Sequence, residues 1–263
     1  MAERAAAPRR VLIEAVGGLP EVQPGDDLAG MILEALAGQG LSLAHGDVLA
    51  VAQKVVSKAE GRIAALASVL PGPEARRIAA ETGKDPAKVQ LILDESSAVI
   101  RTAPRTATRE GVLIVRHRLG FICANAGIDE SNAGADGRVI LLPRDPDASA
   151  ARLRDRIAAA TGAAVGVVIT DTFGRPWRLG LVNVAIGLAG LPALTDLIGT
   201  ADAHGRILSA TMPAFADEIA AASGLVVGKA SQTPVCLFRG LAWDGPAQPA
   251  AALVRPAKED LFL

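Results

Sequence analysis

The sequence is poor in aromatics: Phe, Trp and Tyr make up 3% of it, and Tyr is absent. A core must therefore be filled with Ala, Val, Leu and Ile. Half of the 263 residues are hydrophobic, enough to build a sizeable one. Cysteine is scarce too. Cys123 and Cys236 are far apart, outside any CxxC spacing, and flanked by apolar neighbours. This excludes a disulfide framework or zinc knuckle and predicts two small buried hydrophobes in a reduced, cytoplasmic compartment. Neither sign of charge dominates, with 27 Lys and Arg against 28 Asp and Glu. No nucleic-acid partner is expected, and any phosphate-bearing ligand must be held by a local cluster. Long apolar runs are missing as well. A membrane helix needs about 18 such residues, and the nearest stretch, 181–198, is interrupted by Asn183, Pro192 and Asp196. Met1–Arg10 is rich in Ala and Arg without an apolar segment, so no secretory signal is expected.

Several motifs are absent. There is no Walker A sequence, no GxGxxG after a strand and no HExxH. His45, His117 and His204 lack metal-ligand spacing and read as loop or surface residues.

What is present is a mixture of strand and helix patterns. Val11–Val16, Asp47–Gln53, Val139–Leu142, Val165–Thr170 and Val235–Phe238 read as strands, and Val112–Val115 with Phe121–Ala124 as a hairpin. Helices are predicted from Asp26 or Asp27 onward, over 74–82, 86–99 and 150–160, and over 212–223. Hairpins alongside helical crossovers predict an α+β or mixed α/β fold, with no internal repeat and no low-complexity linker.

Four segments carry more Gly, charge and amide than a core needs. Gly17–Val22 follows the first strand, and its turn could offer backbone N–H groups to an anion. Gln53–Arg62 follows a buried strand; Lys54 and Lys58 share a face if it is helical. Asn125–Asn132 gathers two acids and two amides around Gly127, hard oxygen ligands that suit Mg²⁺ or Mn²⁺. In Thr170–Arg178 a buried strand delivers Asp171 to its end, and Thr172, Arg175 and Arg178 follow. Carboxylate, hydroxyl and guanidinium together make a phosphate-handling set. Each segment also has a plainer reading, as a turn, a charged face or a cap. A metal-dependent phosphotransferase and a non-catalytic nucleotide sensor both stay open on these residues alone.

The last three segments resemble the signature blocks of the coenzyme F420-0:L-glutamate ligase family. Ala216-Asp217-Glu218-Ile219-Ala220, Gly228-Lys229, Pro234–Gly240 and Arg255-Pro256 with Glu259-Asp260-Leu261-Phe262 agree with it. The resemblance runs from about residue 11 onward and implies one ligase domain over 1–263, with scope for two interleaved subdomains. A C-terminal reductase-like domain carried by some relatives is not expected. It implies a GTP-dependent enzyme adding L-glutamate to F420-0, later residues being γ-linked. An acyl phosphate is the expected intermediate, because a carboxylate must be activated before an amine can attack it. It implies Mg²⁺ or Mn²⁺ at two sites, K⁺, and an intertwined homodimer. By position, Leu19, Pro20, Glu21 and Val22 would line the nucleotide site, with Gln53 (Ser in some relatives), Lys58 on a phosphate, Asn132 on the nucleotide, and Gly228 and Lys229 closing over it. Asp129 and Asp171 would bind one metal and Thr172 a second. Lys58, Asp171, Arg175 and Arg178 form the expected catalytic set. Lys54 is not among the carried-over residues.

Overall fold

Two runs, Val48–Ala52 and Gly166–Thr170, are apolar at almost every position, the pattern of strands covered on both faces. They form the centre of the molecule. The computed structural model describes residues 10–130, 137–228 and 232–260. In chain order its main elements are β1 (Leu12–Val16), α1 (Leu28–Gly38), β2 (Val48–Ala52), α2 (Gln53–Ala59), β3 (Ile63–Ala65), α3 (Pro73–Thr82) and α4 (Pro86–Asp94). Then come β4 (Ser96–Ala103), β5 (Val112–His117), β6 (Ile122–Ala124), β7 (Arg138–Ile140), α5 (Pro146–Thr161), β8 (Gly166–Arg175), β9 (Arg178–Ala189), α6 (Phe215–Ser223) and β10 (Val235–Arg239).

The main sheet has the order β1-β10-β2-β8-β9. Only β2 and β8 are parallel, from Val48 opposite Gly166 to Ala52 opposite Thr170. Side chains alternate between two cores, as a pleated strand requires. Leu49, Val51, Val167, Ile169, Val235 and Leu237 pack under α1 and α5. Val48, Ala50, Val168, Cys236 and Phe238 pack with Ala216, Ile219 and Ala220 of α6. Helix α5 approaches the sheet so closely that a Cβ on Gly187 would lie 2.5 Å from the Pro146 carbonyl carbon, so only glycine fits there. A smaller layer sets α3 and α4 on the sheet β4-β5-β6, around Ile78, Val89, Ile92, Leu113 and Val115. The fold is α+β, as the sequence implied. Among the described residues no helix is long and apolar enough to cross a membrane.

Four sequence expectations are corrected. The helix read over 86–99 stops at Asp94, and Ser96–Ala103 is strand. Val99, Ile100 and Thr102 are β-branched, and the ladder with β5 outweighs the helical period. The helix read from Met212 begins at Phe215, because Pro213 pushes the residue before it into extended backbone and Met212 is left half-exposed. Strand β8 does not end at Asp171 but runs on to Arg175 and returns as β9, a strand the sequence reading missed. His117 is fully buried at the end of β5 rather than in a loop or at the surface, while His45 and His204 are exposed.

Candidate active site

The site is built where the parallel pair ends. Ala52 passes directly into α2, whose seven residues carry Lys54 and Lys58 one turn apart. Lys58 is almost fully buried, and its ammonium meets Glu21 at 2.5 Å. This ties α2 to the loop after β1, where Gly18 has φ +81°, Leu19 is half-buried, Pro20 and Glu21 are exposed and Val22 is buried. An open cavity of about 360 Å³ lies beside Glu21, lined by Pro20, Asp26, Asp27, Gly30, Met31 and Glu34. Lys54 reaches a different loop, meeting Asp129 at 2.7 Å. Helix α2 therefore joins the predicted nucleotide loop to the predicted metal loop, and Lys54 becomes a candidate site residue that the carried-over set omits. The i,i+4 spacing of the two lysines was its only signal.

Asp129 is fixed by its backbone, which exchanges hydrogen bonds with Ile140 of β7. Before it, Asn125–Gly127 makes a tight turn with positive φ at all three residues. Gly127 has φ +67°, and an added Cβ would meet the Leu142 methyl at 2.8 Å. A part-buried triad braces this corner. Glu95 accepts from Arg62 at 2.6 Å and from Arg118 at 2.9 Å, and the two guanidinium groups also donate to the carbonyl oxygens of Leu142, Pro143 and Arg144. No local pattern announces this triad, since its members are scattered along the chain.

Asp171 follows Thr170, the last residue of the parallel ladder, and its charge acts on Cys123 of β6. Burial first, and then the Asp171 carboxylate, push the Cys123 thiol up to about 12. Thr172 points to the other face, as the next residue of a strand must. Its hydroxyl bonds Asn183 Oδ1 at 2.9 Å, and Asn183 continues to Ser223 of α6 at 3.2 Å. Opposite Ile169–Thr170, strand β9 carries a bulge at Ile186, and the Ala185 N–H beside it donates to Asp217 at 2.8 Å. Arg175 and Arg178 do not gather with these groups. They sit at the exposed tip of the β8–β9 hairpin, about 13 Å along the strand from Asp171. There Arg175 donates to the Leu179 carbonyl and Trp177 has φ +56°. Gln53 is buried and holds Ser57 at 2.8 Å, while its Nε2 has no partner among the described residues. Gly228 lies beyond α6, whereas Asn132 and Lys229 fall outside the described residues.

A hard divalent cation fits this donor set. Asp129 and Asp171 offer carboxylate oxygen, and Asn125 Oδ1 is buried without a hydrogen bond among the described residues, whereas Thr172 faces away from Asp171 and does not join them. Asp129 carries Lys54 as its counter-cation in this structure, so a metal there would have to displace an ammonium. No group of three or more His, Cys, Asp or Glu side chains is preassembled among the described residues.

A buried Lys58, a half-buried Lys54 and the carboxylates of Asp129 and Asp171 make the end of the parallel strand pair the candidate site of this α+β fold. The family model for F420-0:gamma-glutamyl ligase matches residues 18–240. A protein of Methanothermobacter thermautotrophicus called coenzyme F420:L-glutamate ligase is 46% identical over 253 residues, covering 94% of this chain and 96% of its own. Proteins of the same name from Methanopyrus kandleri and Archaeoglobus fulgidus are 45% and 44% identical, over 94% and 96% of this chain. The chain belongs to the F420-0:gamma-glutamyl ligase family.

Proposed function

We propose that this enzyme joins L-glutamate to coenzyme F420-0 in a GTP-dependent reaction and links later glutamates through their γ-carboxylates. The observation that carries the reading is near-full-length similarity to proteins named for that ligation, combined with lysines and carboxylates grouped on α2 and its neighbours. The substrate carboxylate attacks the γ-phosphorus of GTP, GDP leaves, and an acyl phosphate forms. The amine of glutamate then attacks the acyl carbon, phosphate leaves and the amine proton is lost.

In this scheme Lys58 holds a nucleotide phosphate after exchanging Glu21 for it, a compact ammonium being suited to a phosphate oxygen. Leu19, Pro20, Glu21 and Val22 line the nucleotide, and the carboxylates around the adjoining cavity can accept from the N–H groups of a purine base. Gln53, Asn132, Gly228 and Lys229 complete the nucleotide set. Asp129 and Asp171 would hold one Mg²⁺ or Mn²⁺ and Thr172 a second; such ions neutralise phosphate charge and let two anions approach. K⁺ is expected alongside them. Arg175 and Arg178 offer forked donors to a substrate phosphate or carboxylate that reaches the hairpin tip. A homodimer is part of the same reading, supported by Trp177, Leu179 and Leu181, which are exposed on that hairpin. A stable, active species of 26.8 kDa in sedimentation would overturn the dimer.

The test is mass spectrometry of F420-0 incubated with the protein, GTP, L-glutamate and Mg²⁺. The expected product is F420-0 extended by one or more glutamyl residues, with GDP and phosphate released. A phosphoester without an amide would replace this reading with a phosphotransferase, and no product would leave a nucleotide sensor.

A further inference from the structure

Two lysines outside the site described so far are buried, and one of them, Lys88, stands at the helix end that disfavours a cation. Lys84 sits in the turn between α3 and α4, and Lys88 in the first turn of α4, after the Asp85 cap. Their side chains are only 4% and 5% exposed. A buried ammonium is costly unless paired. At the first turn of a helix, the macrodipole adds a further penalty for a cation and attracts an anion.

The two ammonium groups converge on one oxygen. Glu110 Oε2 lies 2.9 Å from Lys84 Nζ and 3.9 Å from Lys88 Nζ. Lys88 also meets Glu130 Oε2 at 2.8 Å. Both carboxylates come from loops and remain more than half exposed, at 55% and 57%. The cations are thus rooted in the protein, while the anions cover them from the solvent side. A soluble carboxylate could approach from the same side and take the place of one of them. The exchange is anion for anion, so it leaves no ammonium unpaired.

The anion now seated on Lys88 is a glutamate side chain, the same two-methylene carboxylate arm that free L-glutamate carries. Glu130 is also the residue after Asp129, their Cα atoms about 3.8 Å apart. We propose that the Lys84–Lys88 clasp is the subsite for the side-chain carboxylate of the incoming L-glutamate, and that Glu130 fills it as an internal mimic until substrate displaces it. This rests on the ligase reading above and adds the group that would recognise the amino-acid substrate.

The experiment is calorimetric titration of three probes into the full-length protein with Mg²⁺ and a non-hydrolysable GTP analogue. The probes are L-glutamate, glutarate (two carboxylates, no amine) and L-norvaline (amine and α-carboxylate, no side-chain carboxylate). Glu130→Gln removes the internal competitor, so it should bind L-glutamate and glutarate about fivefold more tightly, the order of one partly exposed ion pair. L-norvaline should bind no differently. Lys88→Met should lose at least tenfold for both diacids while its affinity for the GTP analogue stays unchanged. A misfolded variant cannot produce the gain, so Glu130→Gln decides the matter even if Lys88→Met folds poorly. Equal or weaker diacid binding by Glu130→Gln would overturn the proposal and make the clasp a staple between helix and loop. The glutarate arm is independent of ligation. Tighter glutarate binding without amide synthesis would keep the clasp and reject the ligase reading, whereas amide synthesis with an unmoved Glu130→Gln would do the reverse.

Discussion

The Lys54 ammonium and the Asp129 carboxylate meet at 2.7 Å, both side chains retaining about a third of their exposure or less. If Asp129 is a metal ligand, Lys54 is the cation it holds until a metal arrives. Lys54→Met should therefore tighten Mn²⁺ binding about fivefold, the scale of one partly exposed ion pair. Asp129→Asn and Asp171→Asn should each weaken it at least tenfold. Titration followed by electron paramagnetic resonance reads all three directly. Unchanged affinity in Asp171→Asn would remove that residue from the metal set.

Lys58 is buried with Glu21 as its ion-pair partner. Lys58→Ala removes the ammonium that the nucleotide phosphates would receive and should weaken GTP binding by roughly 1.5–3 kcal/mol, the range for one charge-assisted hydrogen bond. Glutamate affinity should change far less. Equal GTP affinity in wild type and variant, measured by calorimetry, would return Lys58 to a purely structural pairing with Glu21.

Glu95 is the single carboxylate between Arg62 and Arg118. Removing the carboxylate leaves Arg62, largely out of solvent, without its counter-charge, so Glu95→Ala should cost about 1–3 kcal/mol in urea unfolding. The loss should reach the site, because the two arginines also hold the carbonyls of residues 142–144 behind Gly127. A variant as stable as wild type would show that the triad braces nothing.

His117 gives a pH signature. Burial first, and the neighbouring Arg118 charge second, lower it from 6.5 to about 4. The unfolded chain takes up a proton near 6.5 that the native chain refuses until about 4. Stability is thus fully present above 6.5 and falls as pH drops through that window. Urea midpoints between pH 7 and pH 5 should decline in wild type and change less in His117→Phe, which can keep a stacked ring on Phe121. Parallel declines would assign the acid sensitivity elsewhere.

The sequence was legible where side-chain period alone decides structure. Strands β2 and β10 and the β5–β6 hairpin follow from their apolar patterns, and α5 from Leu153 and Ile157 on one face. It was opaque where partners decide. Ser96–Ala103 continues a helical-looking segment and becomes strand only through β5. Thr172–Arg175 looks like a ligand loop and is strand because β9 covers it. The charged groups follow the same division. Asp129, Asp171 and Lys58 stood out through their local sequence, whereas Lys84 and Lys88 look like ordinary solvated charges on a helix. Only the folding of Glu110 and Glu130 over them reveals that they are buried.

The last rung of the parallel ladder joins Ala52 to Thr170, and the next residue after each strand opens the candidate site. The two strands therefore act as a paired ruler with a common zero mark. Exchanging Val167 or Ile169 for another aliphatic residue alters packing but keeps that mark. Inserting or deleting one residue between Gly166 and Thr170 would turn Asp171 to the face now held by Thr172, because facing alternates at every step. For this segment length is a stricter requirement than composition. The core strand is thus part of the instrument that sets how far the carboxylate after one strand stands from the ammonium after the other.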